Sequence, residues 1–284
     1  MRILLGAAGG KSGLLTCISY SFLGFFYSGI TPSATGGQPM QLYEMKRDGN
    51  SVSSSTVVLM VTAVCYKLVL VCIGTFLLIF QGKMLRQYLG RYFGLYLLGL
   101  FLNLAITLVV TGMIVLPQWI IAGANVFDRL FVKVHLWKAS GSAGRQEKVR
   151  CFVQEYHRAV LFLKEHPGRL AAAFSLTFVQ RNSAFVITWL VYCGMGLFGT
   201  NLWSVVFLQA AVTLAVDMLP VPGAQGITEL VYRSAFAQIF IGGTLPVSMI
   251  VSRAASFYVP MAVGLATVLW RMARKAGKSL PETP

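Results

Sequence analysis

A chain of 284 residues that is 56% hydrophobic, only 12% charged and of mean hydropathy +0.69 does not have the composition of a soluble domain, which carries about twice that charged fraction. The net charge of +15 would suit nucleic acid, but the basic residues cluster between and after long apolar runs, the pattern of the positive-inside rule and of contact with anionic headgroups. No aromatic-basic RNA motif and no zinc-finger spacing occurs, so nucleic acid is excluded as a partner.

In chain order, residues 13–30 form a first apolar segment rich in aromatics. Lys11 interrupts the start, and the run ends in a Pro/Gly motif where a signal peptide would have a small-residue cleavage site. SGITPSATGGQPMQ follows at 28–41, uncharged throughout, and then a short polar run to Asp48. Residues 54–80 are a spanning candidate with Lys67 near the middle. A basic linker at 81–91 precedes residues 92–117, a span without any charge.

The stretch 121–169 is polar, with nine Lys/Arg against four Asp/Glu and all three histidines. Its part from 147 to 165 has helix-like apolar spacing at Val149, Phe152, Val153, Tyr156, Val160 and Leu161. It reads as an amphipathic helix on the cytoplasmic membrane surface or packed under the bundle. Residues 170–200 are apolar but broken by Gln180-Arg181-Asn182, so they form one long tilted span or two shorter pieces. Residues 202–219 are a further span, with Asp217 near the end. PVPGAQGITE at 220–229 is again Pro/Gly-rich, 235–243 is a short apolar piece, 244–270 is a last span containing Arg253, and a basic polar tail runs over 271–284. The expected fold is thus all-α and polytopic, with about six or seven spans and two broken or re-entrant segments. The N-terminal half covers 1–120 with its break at 31–39, and the C-terminal half 170–270 with its break at 219–229. The loop 121–169 and the C-terminus are expected on the cytoplasmic side of the cell membrane.

The two breaks share a pattern. Pro32-Ser33-Ala34-Thr35-Gly36 and Pro222-Gly223-Ala224-Gln225-Gly226 both read P-x-A-x-G, each at the end of an apolar segment. Each is followed by a segment carrying one basic residue: Lys67 lies 35 positions after Pro32, Arg253 lies 31 after Pro222. Proline removes a backbone donor and glycine loosens a helix, so such a stretch inside a bilayer must be shielded by protein or line a cavity. Paired breaks in corresponding halves point to a transport site; two ordinary surface turns are the alternative. Lys67, Arg181 and Arg253 are costly in lipid and mark an interior pathway, unless they snorkel or pair with a carboxylate. Glu229 and Arg233, spaced i, i+4, would make a plain helix-surface pair, and an acid at Glu229 suits a first helical turn. The five cysteines read as small apolar side chains. No nucleophile–base pair, metal cluster or phosphate loop is present, so no cofactor is expected.

At these motifs the chain resembles a known family. FFYSGITPSATGGQPMQLYEMKRDG, PVPGAQGITEL and SRAASFYVP look like the flippase-like transmembrane domain of the lysylphosphatidylglycerol synthases, the multiple peptide resistance factor group. The resemblance runs over nearly the whole chain. The family's P-x-P-G-x-x-G-x-x-E pattern is carried by Pro220, Pro222, Gly223, Gly226 and Glu229, and its arginine and following aromatic by Arg253 and Tyr258. Its frequent arginine after the first motif appears as Lys67, which keeps the charge without the fork. Some thirty residues precede the first motif, where the family usually has one or two more helices. The resemblance implies movement of a cationic phospholipid such as lysyl-phosphatidylglycerol between leaflets, with a separate synthase domain or a second copy as possible partners. It implies no lysyltransferase activity for this chain by itself, since fourteen residues follow Trp270.

A headgroup with one phosphate and two ammonium groups needs a basic group or helix N-terminus and a carboxylate. Lys67 and Arg253 are the candidates for the phosphate, and Glu229, backed by Glu44 or Asp217, for the amines. Thr31, Pro32, Gly36, Gly37 and Gln38 at the first break, Pro222, Gly223 and Gly226 at the second, and Tyr258 would line the site. A transporter of another lipid or solute, or a membrane scaffold for a synthase, are the rival readings.

Overall fold

The computed structural model describes residues 1–8, 10, 12–116 and 142–278, and every element in them is helical. A short α1 (Arg2–Ala7) leads into α2 (Leu14–Ile30), a 3-10 turn at Pro32–Ala34 and α3 (Gly37–Arg47). Then come α4 (Val52–Phe80), α5 (Gly82–Leu89), a 3-10 turn at Gly90–Tyr92 and α6 (Phe93–Val115). Beyond residue 141 lie α7 (Ser142–Lys164), α8 (Pro167–Gly194), α9 (Leu202–Val216), a 3-10 turn at Pro222–Ala224 and α10 (Ile227–Phe236). The last elements are α11 (Thr244–Arg253), a π-helical turn at Ala254–Tyr258 and α12 (Val259–Lys278). The first part of the polar stretch, with His135, and the end of the span expected at 92–117 lie outside the described residues.

Four helical stretches are long and apolar enough to cross a bilayer: Val52–Phe80, Gly82–Val115, Pro167–Gly194 and Thr244–Arg274. Their outward faces are apolar: Phe101 and Leu108 on α6, Leu176 and Val179 on α8, and Ile250 and Val259 on the last stretch are all exposed. Such a surface suits the hydrocarbon core of a bilayer. The segment at 170–200 is a single helix, α8, with Pro167 in its first turn, where the missing donor does no harm. Gln180-Arg181-Asn182 does not break it, because Asn182 bonds back to the Phe178 carbonyl at 2.8 Å.

The shorter apolar helices α2 and α9 belong to the broken segments. α9 is apolar all round and is the hub of the core, packing on α4, α6, α8 and α10. Asn201 caps it by accepting the Trp203 N–H at 3.0 Å. A second core joins α1, α2, α4 and α7 around Leu4, Leu5, Tyr20, Val57 and Tyr156. The amphipathic segment lies under the bundle: Val153, Tyr156 and Val160 of α7 are buried, and Ser53 of α4 donates to Glu155 at 2.9 Å. Burial pushes the Tyr156 phenol up to about 12, so it stays neutral.

The connections define two ends of the molecule. At one, Ser53 meets Glu155 of α7, and Asp48, before α4, meets Arg271 of α12. At the other, Ser234 of α10 donates to the Leu89 carbonyl of α5 at 3.2 Å. The hairpin α2–α3 starts and finishes at the α7 end, and the hairpin α9–α10 starts and finishes at the α5 end. Their 3-10 tips touch each other inside the bundle. Each hairpin is followed by a long helix running across, α4 in one direction and α11–α12 in the other. Two hairpins entering from opposite ends, each followed by a crossing helix, have the layout of an inverted repeat.

Candidate functional site

The tips show the repeat at atomic level. Ala34 (φ 55°) and Ala224 (φ 50°) are the non-glycine residues with positive φ among those described, and they are the same alanine of P-x-A-x-G. A left-handed alanine is strained, by roughly 1–2 kcal/mol, and persists only where the surroundings dictate it. At the first tip, Thr31 donates to the Tyr27 carbonyl at 2.7 Å and accepts the Gly36 N–H at 2.9 Å, closing the turn after Pro32. Gly37 then lies so close to α2 that a Cβ would be 2.6 Å from the Gly24 carbonyl oxygen. At the second tip, Thr228 donates to the Ala224 carbonyl at 2.7 Å, and Gly226 caps α10. Phe257 of the π-helical turn fills the space between the tips: it lies against Gly29 and against Gly223.

Two charged groups flank these tips. In the first, Lys67, midway along α4, pairs with Asp217 at the end of α9. The other Asp217 oxygen accepts the Tyr66 hydroxyl at 2.7 Å. Arg181, midway along α8, stacks its guanidinium 4.7 Å from the centre of the Tyr66 ring and reaches its hydroxyl at 3.4 Å. No carboxylate pairs with Arg181 among the described residues, and its Nε is buried without a hydrogen-bond partner. The group therefore holds two cations against one anion. On its other side Lys67 borders a cavity of about 280 Å³ between α3, α4 and α6, with Gln38, Met60, Ala63 and Val110 in its wall.

In the second group, Arg253 donates from Nε to Glu229 at 3.0 Å and from Nη2 to the Gly223 carbonyl at 3.1 Å. Arg253 thus satisfies a backbone acceptor freed by the break and ties α11 to the second tip. The other Glu229 oxygen is buried and unpartnered.

Several placements differ from those expected from sequence. Lys67 pairs with Asp217 beside the second break while bordering the same cavity as Gln38 of the first, and Arg253 joins the second hairpin through Glu229. Glu229 pairs with Arg253, not with Arg233 one turn away, because the long helix brings the guanidinium to the inner face of α10. The aromatic that stacks on Arg253 is Phe257, at 4.8 Å, while Tyr258 is 46% exposed and points away. A π-turn adds a residue to the helical cycle and so changes which aromatic faces inward. Glu44 is not near Glu229. It pairs with Arg271, and with Arg47 at 2.9 Å.

Arg271 is the residue that sequence reasoning misses. It falls just past the expected last span, in what reads as a basic tail, yet the helix continues and buries it to 8% exposure. It binds Glu44 and, at 2.8 Å, Asp48, and it lies over the Tyr20 ring, whose hydroxyl donates to Asp48 at 2.6 Å. Burial alone would raise the Asp48 carboxyl, but hydrogen bonds from Tyr20 and Arg271 and the Arg271 charge outweigh it and hold the group below its ordinary value. The one signal in the sequence was the unusual pair of acids, Glu44 and Asp48, in a region with no other carboxylate until residue 128.

Two hairpins that meet tip to tip, with ionisable side chains gathered around them inside apolar helices, define a polytopic helical membrane protein. The chain belongs to the family described as the lysylphosphatidylglycerol synthase TM region, which it matches over residues 1–264. It is also similar to the UPF0104 membrane protein PH1989 of Pyrococcus horikoshii, at 26% identity over 258 residues, covering 87% of this chain and 74% of that protein. No solved structure matches it.

Proposed function

We propose that the chain moves an aminoacylated phospholipid, lysyl-phosphatidylglycerol by its family, between the leaflets of the cell membrane. The observation that carries this reading is the meeting of the two hairpin tips between a cation-rich group and a carboxylate with an unused oxygen. A lysylated headgroup presents a phosphate and ammonium groups. The Lys67–Arg181–Asp217 group, with its surplus positive charge, takes the phosphate. Glu229 takes an ammonium on its unpartnered oxygen and, in doing so, competes with Arg253. Loosening Arg253 frees the Gly223 carbonyl and with it the second tip, so binding and hairpin movement are coupled. The inverted repeat supplies the second, equivalent conformation. The α7 end is placed in the cytoplasm, where basic residues of α7, α8 and α12 gather.

The test is reconstitution of the purified chain in phosphatidylglycerol vesicles with lysyl-phosphatidylglycerol confined to one leaflet, its amine scored by an impermeant reagent. Wild type is expected to transfer the lipid. Arg253→Ala and Glu229→Ala are expected to abolish transfer while inserting normally. Wild-type rates in both variants, or equal transfer of phosphatidylcholine, would sink the reading.

A further inference from the structure

A second feature stands apart from the hairpin tips. After 29 residues α4 ends at Phe80, and the chain turns through Gln81 into α5. This short helix is amphipathic: Leu85 and Leu89 are fully buried in the core, while Lys83, Arg86 and Gln87 are exposed. Gly90, at φ 52°, then swings the chain into α6. The corner borders an open groove of about 750 Å³ lined by Ile79, Phe80, Lys83, Arg86, Gln87 and Phe93. That is the size of a site for a small organic group. The Arg86 guanidinium lies 5.3 Å from the centre of the Phe93 ring, which holds its charge at the groove.

Charge and apolarity are layered. Toward the middle of the bundle, Ile79 and Phe80 are 68% and 67% exposed, and Phe76 packs against Phe80 with ring centres 4.9 Å apart. Toward the end of the bundle are the cations. The segments that build this end, residues 80–93, 194–202 and 230–244, contain Lys83, Arg86, Arg91 and Arg233 and no aspartate or glutamate. An exposed apolar ledge beneath an uncompensated basic groove matches a diacyl phospholipid with an anionic headgroup, its chains on the ledge and its phosphate among the cations. A soluble anion would use the cations but would leave the ledge without a role. A cationic headgroup is repelled here.

We infer that the α4–α5 corner is a binding site for an anionic phospholipid, distinct from the tip region and at the end of the molecule opposite α7. Lys83 and Arg86 hold the phosphate, and Phe76, Ile79 and Phe80 carry the chains. The site does not rest on the transport reading, since it requires only a bilayer containing anionic lipid.

The experiment is native mass spectrometry of the full chain in detergent, titrated separately with dioleoyl-phosphatidylglycerol and dioleoyl-phosphatidylcholine. Wild type is expected to retain phosphatidylglycerol at least tenfold more tightly, and glycerol phosphate is expected not to displace it. The double variant Lys83→Gln/Arg86→Gln is expected to lose roughly ten- to thirtyfold in affinity, the share of two interfacial charges. Ile79→Ser/Phe80→Ser is expected to weaken binding with the charges intact. Arg91→Gln/Arg233→Gln, which removes the same charge outside the groove, is expected to change affinity less than about threefold. No preference for the anionic lipid, or an equal loss in the two charge variants, overturns the site. Because binding is what is read, a chain that moves no lysylated lipid but still retains phosphatidylglycerol leaves the site standing.

Discussion

At the residue scale, the tips are held by contacts that tolerate no extra atom. Gly223 has a left-handed backbone, and a Cβ there would sit 2.5 Å from the Phe257 ring. Gly223→Ala therefore adds the strain of a left-handed alanine, roughly 1–2 kcal/mol, to the displacement of an aromatic ring. The same ring stacks on Arg253, so the substitution also disturbs the Arg253–Glu229 pair. Gly223→Ala is expected to lower the thermal unfolding midpoint in detergent and to abolish lipid transfer. Phe257→Ala removes the partner of the clash and leaves the backbone strain, so the double variant is expected to lose less stability than the sum of the two single losses. If the two losses simply add, Phe257 is not what Gly223 makes room for.

At the scale of elements, the hairpin α2–α3 is fastened to α12 by Arg271, and the hairpin α9–α10 to α11 by Arg253. One continuous helical stretch therefore carries both fasteners, with the π-turn between them at the level of the tips. Arg271→Ala would leave the buried Glu44 with Arg47 as its remaining ion pair and Asp48 without its own, and is expected to destabilise by up to about 3 kcal/mol. Asp48 adds a pH signature. Its folded pKa lies below that of the unfolded chain, so its contribution is complete above the ordinary carboxylate range and is lost as pH falls through the folded value. Thermal melts of wild type and Asp48→Asn should therefore differ at neutral pH and converge in acid; a gap independent of pH would refute this role. Much of this was legible in sequence: the two breaks, the long spans and the helix at 147–165 follow from proline, glycine and apolar periodicity, which act locally. The partners of the charges were not. Which carboxylate Lys67 meets depends on how α4 lies against α9, 150 residues apart, and which aromatic meets Arg253 depends on a π-turn that leaves no mark in the periodicity.

For the whole molecule, the inverted repeat ties together facts that charge counting left in conflict. The linker 81–91 and the stretch 121–169 are both basic, and they flank one span, so the positive-inside rule cannot place both in the cytoplasm. The structure puts the linker and α7, the described part of that stretch, at opposite ends, with the C-terminal part of α12 at the α7 end, joined there through Arg271 to Asp48. With the α7 end in the cytoplasm, as proposed, positive charge at the α5 end runs against the rule, as it would if those cations bind anionic headgroups. The arrangement has a direct consequence for labelling. In a background lacking the five native cysteines, single cysteines at Arg169 and Arg274 are expected to react with an impermeant maleimide from the same side of the membrane, and one at Lys83 from the other. The side that carries Arg169 should be the cytoplasmic one in intact cells. Labelling of Lys83→Cys and Arg274→Cys from one side would break the inverted repeat, because an odd number of crossings separates the two positions: α6 runs back to the α7 end, α8 out, and α11–α12 back again.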